Sequence, residues 1–400
     1  VFIYRGFLIT FGLRRNETMA TYLEKKAKTL IKKNTLVDSW FLHRYQLNPY
    51  RGCEHACIYC DGMHEKYNVQ SNFSQTIEVK SNTLDLFYTE YPKLDRTNML
   101  LLGSGVGDIY QPAERLFEFA RTILLHISEE PIPLHILTKS ELVQRDLDIL
   151  SAIAQQVPVI LSVSFCSIYE EDTAFFEPHC ASIQNRLALL KMAKEQGLST
   201  GVMLLPIIPM ITDSKEHLEA FFQTITNLGV DFCSVGTLTL KKGRQEQYFL
   251  QHFSKTYPDQ AAIYHTIYPG NPYGNPVWER VAPIYTHAHR IQQHYRIPPR
   301  IPKPIFENQF STNTTVAILL SHISALLQLK GIERNSYAQA AYHIMKLKES
   351  LPNLAQHNLL SRIPSVGSVT EKMIREYLTT GTISYYDSLM KEWSTPSNLV

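Results

Sequence analysis

MLLLGSGVGDIYQPAERLFEFARTILLHISEEPIPLHILTK, residues 99–139, reads as one strand–helix–strand unit. MLLLGSG (99–105) is an apolar strand running into glycines. PAERLFEFARTILLHI carries apolar residues at helical spacing, and LHILTK (134–139) is a second apolar strand. The pattern repeats toward the C-terminus. A helix through RDLDILSAIAQQ leads to the strand VILSVSF (159–165), and a helix through NRLALLKMAKEQG leads to STGVMLLPII. A helix through KEHLEAFFQTITNLG then leads to DFCSVGTLTL. Apolar strands alternating with helices indicate βαβ units and a parallel sheet. No flanking run of strands makes a sandwich. The expected fold class is α/β over residues 46–240.

Composition agrees with a folded chain of two or three domains. Of 400 residues, 44% are hydrophobic and 19% charged, which excludes a disordered class. Proline outnumbers glycine, 21 to 17, so Gly/Ser linkers and collagen-like repeats are out. No apolar run reaches about 18 residues, so no membrane span is expected. A net charge of +2 neither requires nor excludes a nucleic-acid partner. Upstream, VFIYRGFLITFGLRRNET precedes Met19. Its short apolar stretch comes before Arg14 and Arg15, the reverse of a signal peptide's order. Translated upstream sequence, with the working protein starting near Met19, is the expectation. Residues 1–45 are then a basic N-terminal extension, and the compartment is cytoplasmic.

Three of the six cysteines fall within eight positions, in LNPYRGCEHACIYC (47–60): Cys53, Cys57 and Cys60. Six cysteines are too few for a disulfide scaffold, so the cluster points to a metal or redox site. A structural zinc site wants four ligands; His55 or His64 would have to supply the fourth. Three thiolates on one loop also suit a [4Fe–4S] cluster whose fourth iron stays open.

Cys-x3-Cys-x2-Cys with an aromatic before the last cysteine resembles the signature of the radical S-adenosylmethionine (SAM) superfamily. NPYRGCEHACIYC, GDIYQPAE (107–114), ILTKSELVQRDLDIL (136–150), FFEPHCASIQNRL (175–187) and GVMLLPIIPMITD (201–213) resemble, in order, its spore photoproduct lyase-like branch. The resemblance covers roughly residues 45–240. It implies a partial (β/α)6 TIM-like barrel, a [4Fe–4S] cluster on Cys53, Cys57 and Cys60, and SAM on the open iron. It also implies a one-electron donor such as flavodoxin or ferredoxin.

The resemblance further implies roles for single residues. Tyr59 lies where the family contacts adenine; its alternative is a core tyrosine. Lys139 matches the lysine that holds the SAM carboxylate; by pattern alone a lysine at a strand end is solvated. Ser162, Ser164 and Cys166 share parity, hence one face of their strand, and the two serines match SAM-contacting positions. Ser104 follows a strand in a glycine-rich turn that lets backbone approach a ligand, although GSGVG does not fit G-x-G-x-x-G. Asp108, Tyr110, Gln111 and Glu114 are expected at the cavity mouth. Glu177 and Arg186 are expected either there or as a structural ion pair. Spore photoproduct lyase carries a hydrogen-donor cysteine just after its second strand. Here that stretch, LLGSGVGD, has no thiol. Cys166 is the substitute candidate, and a small buried hydrophobe is its other reading.

Beyond residue 240 the chain changes character. Residues 241–312 form a Tyr/basic extension with a proline-rich end, RIPPRIPKPIFENQFST (296–312). Its cations interleave with Tyr257, Tyr264, Tyr273, Trp278, Tyr285 and Tyr295, a pattern suited to phosphate contact and base stacking or to a solvated surface over a tyrosine-rich core. Residues 313–400 read as all-helical. LLSRIPSVGSVTEKMIREYLTTGTI (359–383) resembles the helix–hairpin–helix of the N-terminal domain of family X DNA polymerases. Val366, Gly367 and Ser368 would bring backbone N–H groups to a phosphate. Lys372 matches the family's Schiff-base lysine, but Ala338 and Gln339 stand where basic residues are typical, and Ser365 stands where the hairpin usually has glycine. A protein-docking module is the other reading of this tail.

The expected function is radical chemistry on nucleic acid. Two alternatives stay open: a radical SAM enzyme acting on a protein or small molecule, and a non-enzymatic, metal-stabilised DNA-binding protein. The oligomeric state is left open.

Overall fold

The computed structural model describes residues 20–104, 106–332 and 335–393. The expected start near Met19 lies outside the described residues. Ten strands follow in chain order: β1 (Thr21–Lys25), β2 (Ile31–Lys33), β3 (His43–Leu47), β4 (Tyr50–Arg51), β5 (Thr76–Lys80), β6 (Met99–Leu102), β7 (Leu134–Thr138), β8 (Val159–Phe165), β9 (Ser199–Ile207) and β10 (Phe232–Thr237). The large sheet has the order β10-β9-β8-β7-β6-β3-β2. From β3 to β10 every neighbouring pair is parallel, and β2 joins antiparallel at one edge. Helices Thr83–Glu90, Phe119–Glu129, Leu147–Ala154, Ile183–Glu195 and Lys215–Thr226 connect these strands. Helix Trp278–His294 follows β10 and packs on it. This is the expected partial (β/α)6 barrel.

Two boundaries differ from the sequence expectation. The first barrel strand begins at His43, inside the segment read as an extension. The sixth barrel helix lies inside the segment read as a Tyr/basic extension. Strand β3, HRYQL, mixes charged and apolar residues, so no apolar run marked it. Three helices occupy Arg244–Thr256, Pro258–Ile267 and Trp278–His294. Buried Phe249, Phe253, Tyr264 and Tyr268 join these helices to the barrel's outer core.

The strands alternate between two cores, because side chains of successive residues point to opposite faces. Leu100, Leu102, Ile136, Leu161, Val163, Val202 and Leu204 pack outward against the surrounding helices. Met99, Ile160, Met203 and Phe232 point the other way and share a core with the C-terminal helices. The hub of that second core is helix Thr312–Leu329, against which Tyr337–Met345 and Ser384–Glu392 pack. By length and composition this helix is apolar enough to cross a membrane, unlike the sequence expectation. Its apolar residues Val316, Ile318, Leu319, Leu320 and Ile323 are fully buried in the chain's own core. The tail therefore closes the barrel interior on the side away from the strand C-termini.

Gly201 of β9 shows how tight that interior is. A Cβ there would sit 2.2 Å from Cζ of Phe232 and 2.6 Å from Oγ of Ser162. Gly201→Ala is expected to destabilise the chain by about 1–3 kcal/mol, read as a shift in urea midpoint with unchanged m-value.

Burial also pushes His135, His289 and His322 down to about 4. An unfolded imidazole titrates near about 6.5. Above that pH the three rings are neutral in both states. Between about 6.5 and 4 only the unfolded chain takes up protons, so stability is lost as pH falls through that window. The melting temperature should fall across it, and His322→Gln should make the fall shallower.

Candidate active site

The loop after β3 carries the cysteine triplet, and it is held from three sides. At its start Gly52 has φ 93°, and a Cβ there would lie 2.8 Å from the Phe73 carbonyl, so only glycine fits. Gln111 donates to the Gly52 carbonyl at 3.2 Å and accepts from the Glu54 N–H at 3.1 Å. Residues 176–180 run along the other side. The Ile58 N–H donates to the Phe176 carbonyl at 3.0 Å, and the His179 N–H to the His55 carbonyl at 3.3 Å. The third hold comes from beyond β10: Gln245 donates to the Tyr59 carbonyl at 2.9 Å, and Lys241 pairs with Asp61. A segment without regular secondary structure is thereby pinned by groups far away in sequence.

The pinned loop forms one wall of a cavity of about 310 Å³. Cys53, Cys57 and Cys60 line it together with Tyr59, Ser104, Asp108, Lys139 and Ser164. Phe41, Leu137, Met203, Leu205, Pro206 and Leu238 supply apolar walls, with Thr237 and Thr239 beside them. The cavity opens where the loops after β3, β6, β7 and β10 meet, the C-terminal end of a parallel barrel, where ligands gather.

Charges in and behind this wall are arranged in two buried groups. In the first, Asp108 accepts from Thr138 Oγ1 at 2.9 Å and from the backbone N–H of Lys139 and Tyr110 at 2.8 and 2.9 Å, and pairs with His55 at 3.0 Å. Burial works to raise the Asp108 carboxyl, but His55 and the backbone donors overcome it and hold it below its usual range. In the second group, Glu177 is met by Arg186 at 2.6 Å, by Lys139 at 3.7 Å and by the Tyr59 hydroxyl. Burial opposes the Lys139 charge; Glu177 overcomes it and keeps the ammonium above its usual range.

The thiols fit an iron–sulfur cluster better than a single ion. Among the described residues, no three His, Cys, Asp or Glu side chains are gathered closely enough to hold one metal ion. His55 is turned to Asp108 and the His179 carbonyl, and His64 to the Lys242 carbonyl, so neither completes a zinc site. The three thiols instead spread around a space bordered by a cation and small polar groups. Burial raises the Cys53 thiol and pushes Cys60 up to about 12, so binding a cationic centre must displace protons. Cys57 alone is lowered, chiefly by the neighbouring Cys180 thiol.

The predicted residues divide sharply. Cys53, Cys57, Cys60, Tyr59, Ser104, Asp108, Lys139 and Ser164 meet at the cavity. Tyr110, Gln111 and Glu114, expected at its mouth, are instead fully buried supports. Tyr110 donates to Asp146 at 3.2 Å, and Glu114 takes Tyr50 and Arg145 at 2.6 and 2.9 Å. Ser162 also leaves the cavity: its hydroxyl pairs with His135 at 2.8 Å deeper in the barrel. Glu177 and Arg186 form the structural ion pair behind Tyr59. Cys166 is fully buried and absent from the cavity lining, because it follows the strand's last residue, where the alternation ends. Val366 is buried in the tail core, while Gly367, Ser368 and Lys372 are exposed on it. Sequence reasoning missed His55 as a partner of Asp108, the apolar wall from Phe41 to Leu238, and Cys180, whose sulfur lies 3.6 Å from that of Cys57. His55 and Cys180 lay within quoted motifs; the apolar wall carries no local signal.

Asp108→Ala would leave His55 buried without its partner. It is expected to cost about 3 kcal/mol of stability, read by urea unfolding, and to lower the iron bound per chain after reconstitution.

Comparison with known proteins agrees with this geometry. Residues 47–224 match the radical SAM superfamily. An uncharacterised protein of Mycobacterium tuberculosis is 33% identical over 266 residues, spanning 64% of this chain and 78% of the relative. An uncharacterised protein of Methanocaldococcus jannaschii is 31% identical over 223 residues, 55% of this chain and 79% of that one. Among solved structures, spore photoproduct lyase complexed with dinucleoside spore photoproduct superposes with TM-score 0.53 at 18% identity, covering 68% of this chain and 79% of that one. That likeness is one of fold. The matched segment begins at the cysteine loop and carries all three cavity thiols, and with it this chain belongs to the radical SAM superfamily, as an enzyme whose cofactors are a [4Fe–4S] cluster and SAM.

Proposed function

We propose that the enzyme performs radical chemistry on a nucleic acid, at a base or nucleotide presented to the cavity. Cys53, Cys57 and Cys60 would hold the cluster. The superfamily resemblance gives Tyr59 to the adenine of SAM and Lys139 to its carboxylate. When bound there, the cluster would supply the one-electron reduction of SAM from which the radical chemistry starts. A small reductant such as flavodoxin or ferredoxin would deliver that electron. The chain's own part is to orient the reacting groups and exclude water.

The observation that carries the nucleic-acid reading is the aromatic and cationic border of the cavity. Tyr273 is 74% exposed and Trp278 is 49% exposed. The Leu240 N–H donates to the Gly274 carbonyl at 2.7 Å, which sets the Tyr273 loop beside cavity-lining Leu238 and Thr239. Trp278 lies 5.5 Å from the Tyr285 ring, whose hydroxyl accepts from the Thr237 N–H at 3.1 Å. Lys242 and Arg280 are exposed in the same segments. Exposed rings with nearby cations suit stacking of an unpaired base and contact with its phosphates. The charged residues of the cavity are engaged with one another: Asp108 with His55, Asp61 with Lys241, Lys139 with Glu177. The apolar end therefore suits an uncharged group such as a nucleobase. The solved lyase of similar fold is complexed with a dinucleoside.

Two features separate this reading from that lyase's own reaction. The loop after β6 has no thiol, and Cys166 is fully buried and does not line the cavity. The tail supports nucleic-acid contact through its hairpin. Ser365, in the position where such hairpins usually have glycine, has φ 66°, the left-handed backbone that glycine favours. Gly367 precedes helix Ser368–Thr380, and Gly367, Ser368 and Val369 are exposed, which leaves that helix end open to solvent. Lys372 stands exposed on that helix.

The test is anaerobic. The reconstituted full chain should produce 5′-deoxyadenosine from SAM under strong reduction, and Cys57→Ala should abolish this. It should bind single-stranded oligonucleotides with affinity that falls as salt rises, and Tyr273→Ala with Trp278→Ala should weaken binding about tenfold. Intact SAM cleavage without salt-sensitive oligonucleotide binding would shift the reading to a protein or small-molecule substrate.

A further inference from the structure

The segment that braces the cysteine loop also delivers a fourth thiol. Cys180 Sγ lies 3.6 Å from Cys57 Sγ. The approach is built rather than casual. Ile58 N–H to Phe176 carbonyl, His179 N–H to His55 carbonyl, and the His179 ring to the Glu54 carbonyl at 3.1 Å pin the two segments on both sides of the pair. The Cys180 N–H donates to the Glu177 carbonyl at 3.1 Å, and the Ala181 N–H donates to the Lys139 carbonyl at 3.4 Å. Cys180 is thus fixed in place from its own side. Cys57 lines the cavity, which a molecule the size of a peroxide can enter. A disulfide has an S–S length of about 2.05 Å, so the two sulfurs need to close by about 1.5 Å.

We propose that Cys57 and Cys180 form a reversible disulfide in the cluster-free chain, a redox lock on the cofactor site. This rests on the assignment of Cys57 as a cluster ligand. Hydrogen peroxide is the oxidant class. The Cys57 sulfur attacks one peroxide oxygen, the O–O bond breaks, and one water leaves with a sulfenic acid formed on Cys57. The Cys180 sulfur displaces the hydroxyl as a second water, and the S–S bond forms. The thiols lose two electrons and two protons in total, and the peroxide takes up both. The bond withdraws one of three cluster ligands, so the oxidised chain cannot take up the cluster. A small thiol reverses the bond by exchange. Without Cys180, the Cys57 sulfenic acid stays open to further, irreversible oxidation.

The experiment uses the full chain stripped of iron, treated with hydrogen peroxide and then digested without reductant. A Cys57–Cys180 linked peptide pair should dominate the Cys57 signal. Iron and sulfide uptake should be lost after peroxide and recovered with dithiothreitol. Cys180→Ser, kept reduced, should load the cluster as the parent does. After peroxide it should recover little of that loading with dithiothreitol, and Cys57 should appear as sulfinic acid. Linkage of Cys57 to Cys53 or Cys60, or equal recovery of both proteins, would overturn the proposal. If the reduced parent takes up no cluster, the cofactor assignment fails, while the peptide map still decides whether the bond forms.

Discussion

A single buried carboxylate, Asp108, ties together the loops that follow β3, β6 and β7. It sits on the β6 loop, takes the His55 ring from the cysteine loop, and takes the Thr138 hydroxyl and Lys139 N–H from the end of β7. A buried charge is tolerated only when its lone pairs are met, and here each contact also sets one wall of the cavity. The cysteine loop has no regular structure of its own, so its geometry depends on such remote partners. Gln111 and Gln245 extend the same principle, each holding a backbone carbonyl of that loop from a different part of the barrel.

The second constraint is the alternation of the barrel strands. Their outward residues are covered by helices of the barrel itself, as in any parallel α/β fold. Their inward residues at the far end, Met99, Ile160 and Phe232, need another cover, and helix Thr312–Leu329 supplies it. The tail is therefore part of the barrel's packing as well as a candidate grip on nucleic acid. Its most apolar helix is long and apolar enough to cross a membrane for the same reason that it makes a good core helix: its partners are apolar side chains.

A chemical division follows from these two constraints. One end of the cavity holds thiols, a lysine and small polar groups, suited to a metal cluster and a zwitterionic cofactor. The other end is apolar and its neighbouring charges are paired. On the proposed reading, reaction occurs where the two meet, near the segments that carry Tyr273 and Trp278. Cys180 sits behind the first end, its sulfur 3.6 Å from that of Cys57.

The sequence by itself determined the parallel α/β architecture, since apolar strands and amphipathic helices alternate with periods that only βαβ units satisfy. It also determined the metal-site chemistry, because three cysteines so close in the chain share one loop whatever the fold around them. Lys139 and Ser164 were legible as well, one at a strand end and the other on a recognisable face. The tertiary structure decided the rest. Ser162 and Ser164 share that face, yet only the second reaches the cavity, because depth along the barrel axis is set by strand register. Tyr110, Gln111 and Glu114 read as site residues and serve as supports, because polar groups in a dense motif can hydrogen-bond inward as readily as outward. His43–Leu47 and Trp278–His294 became barrel elements without a strong local pattern, since packing rather than periodicity selects them. Cys180 lies 123 residues from Cys57 in the chain, and no spacing rule joins positions that only the folded barrel brings into contact.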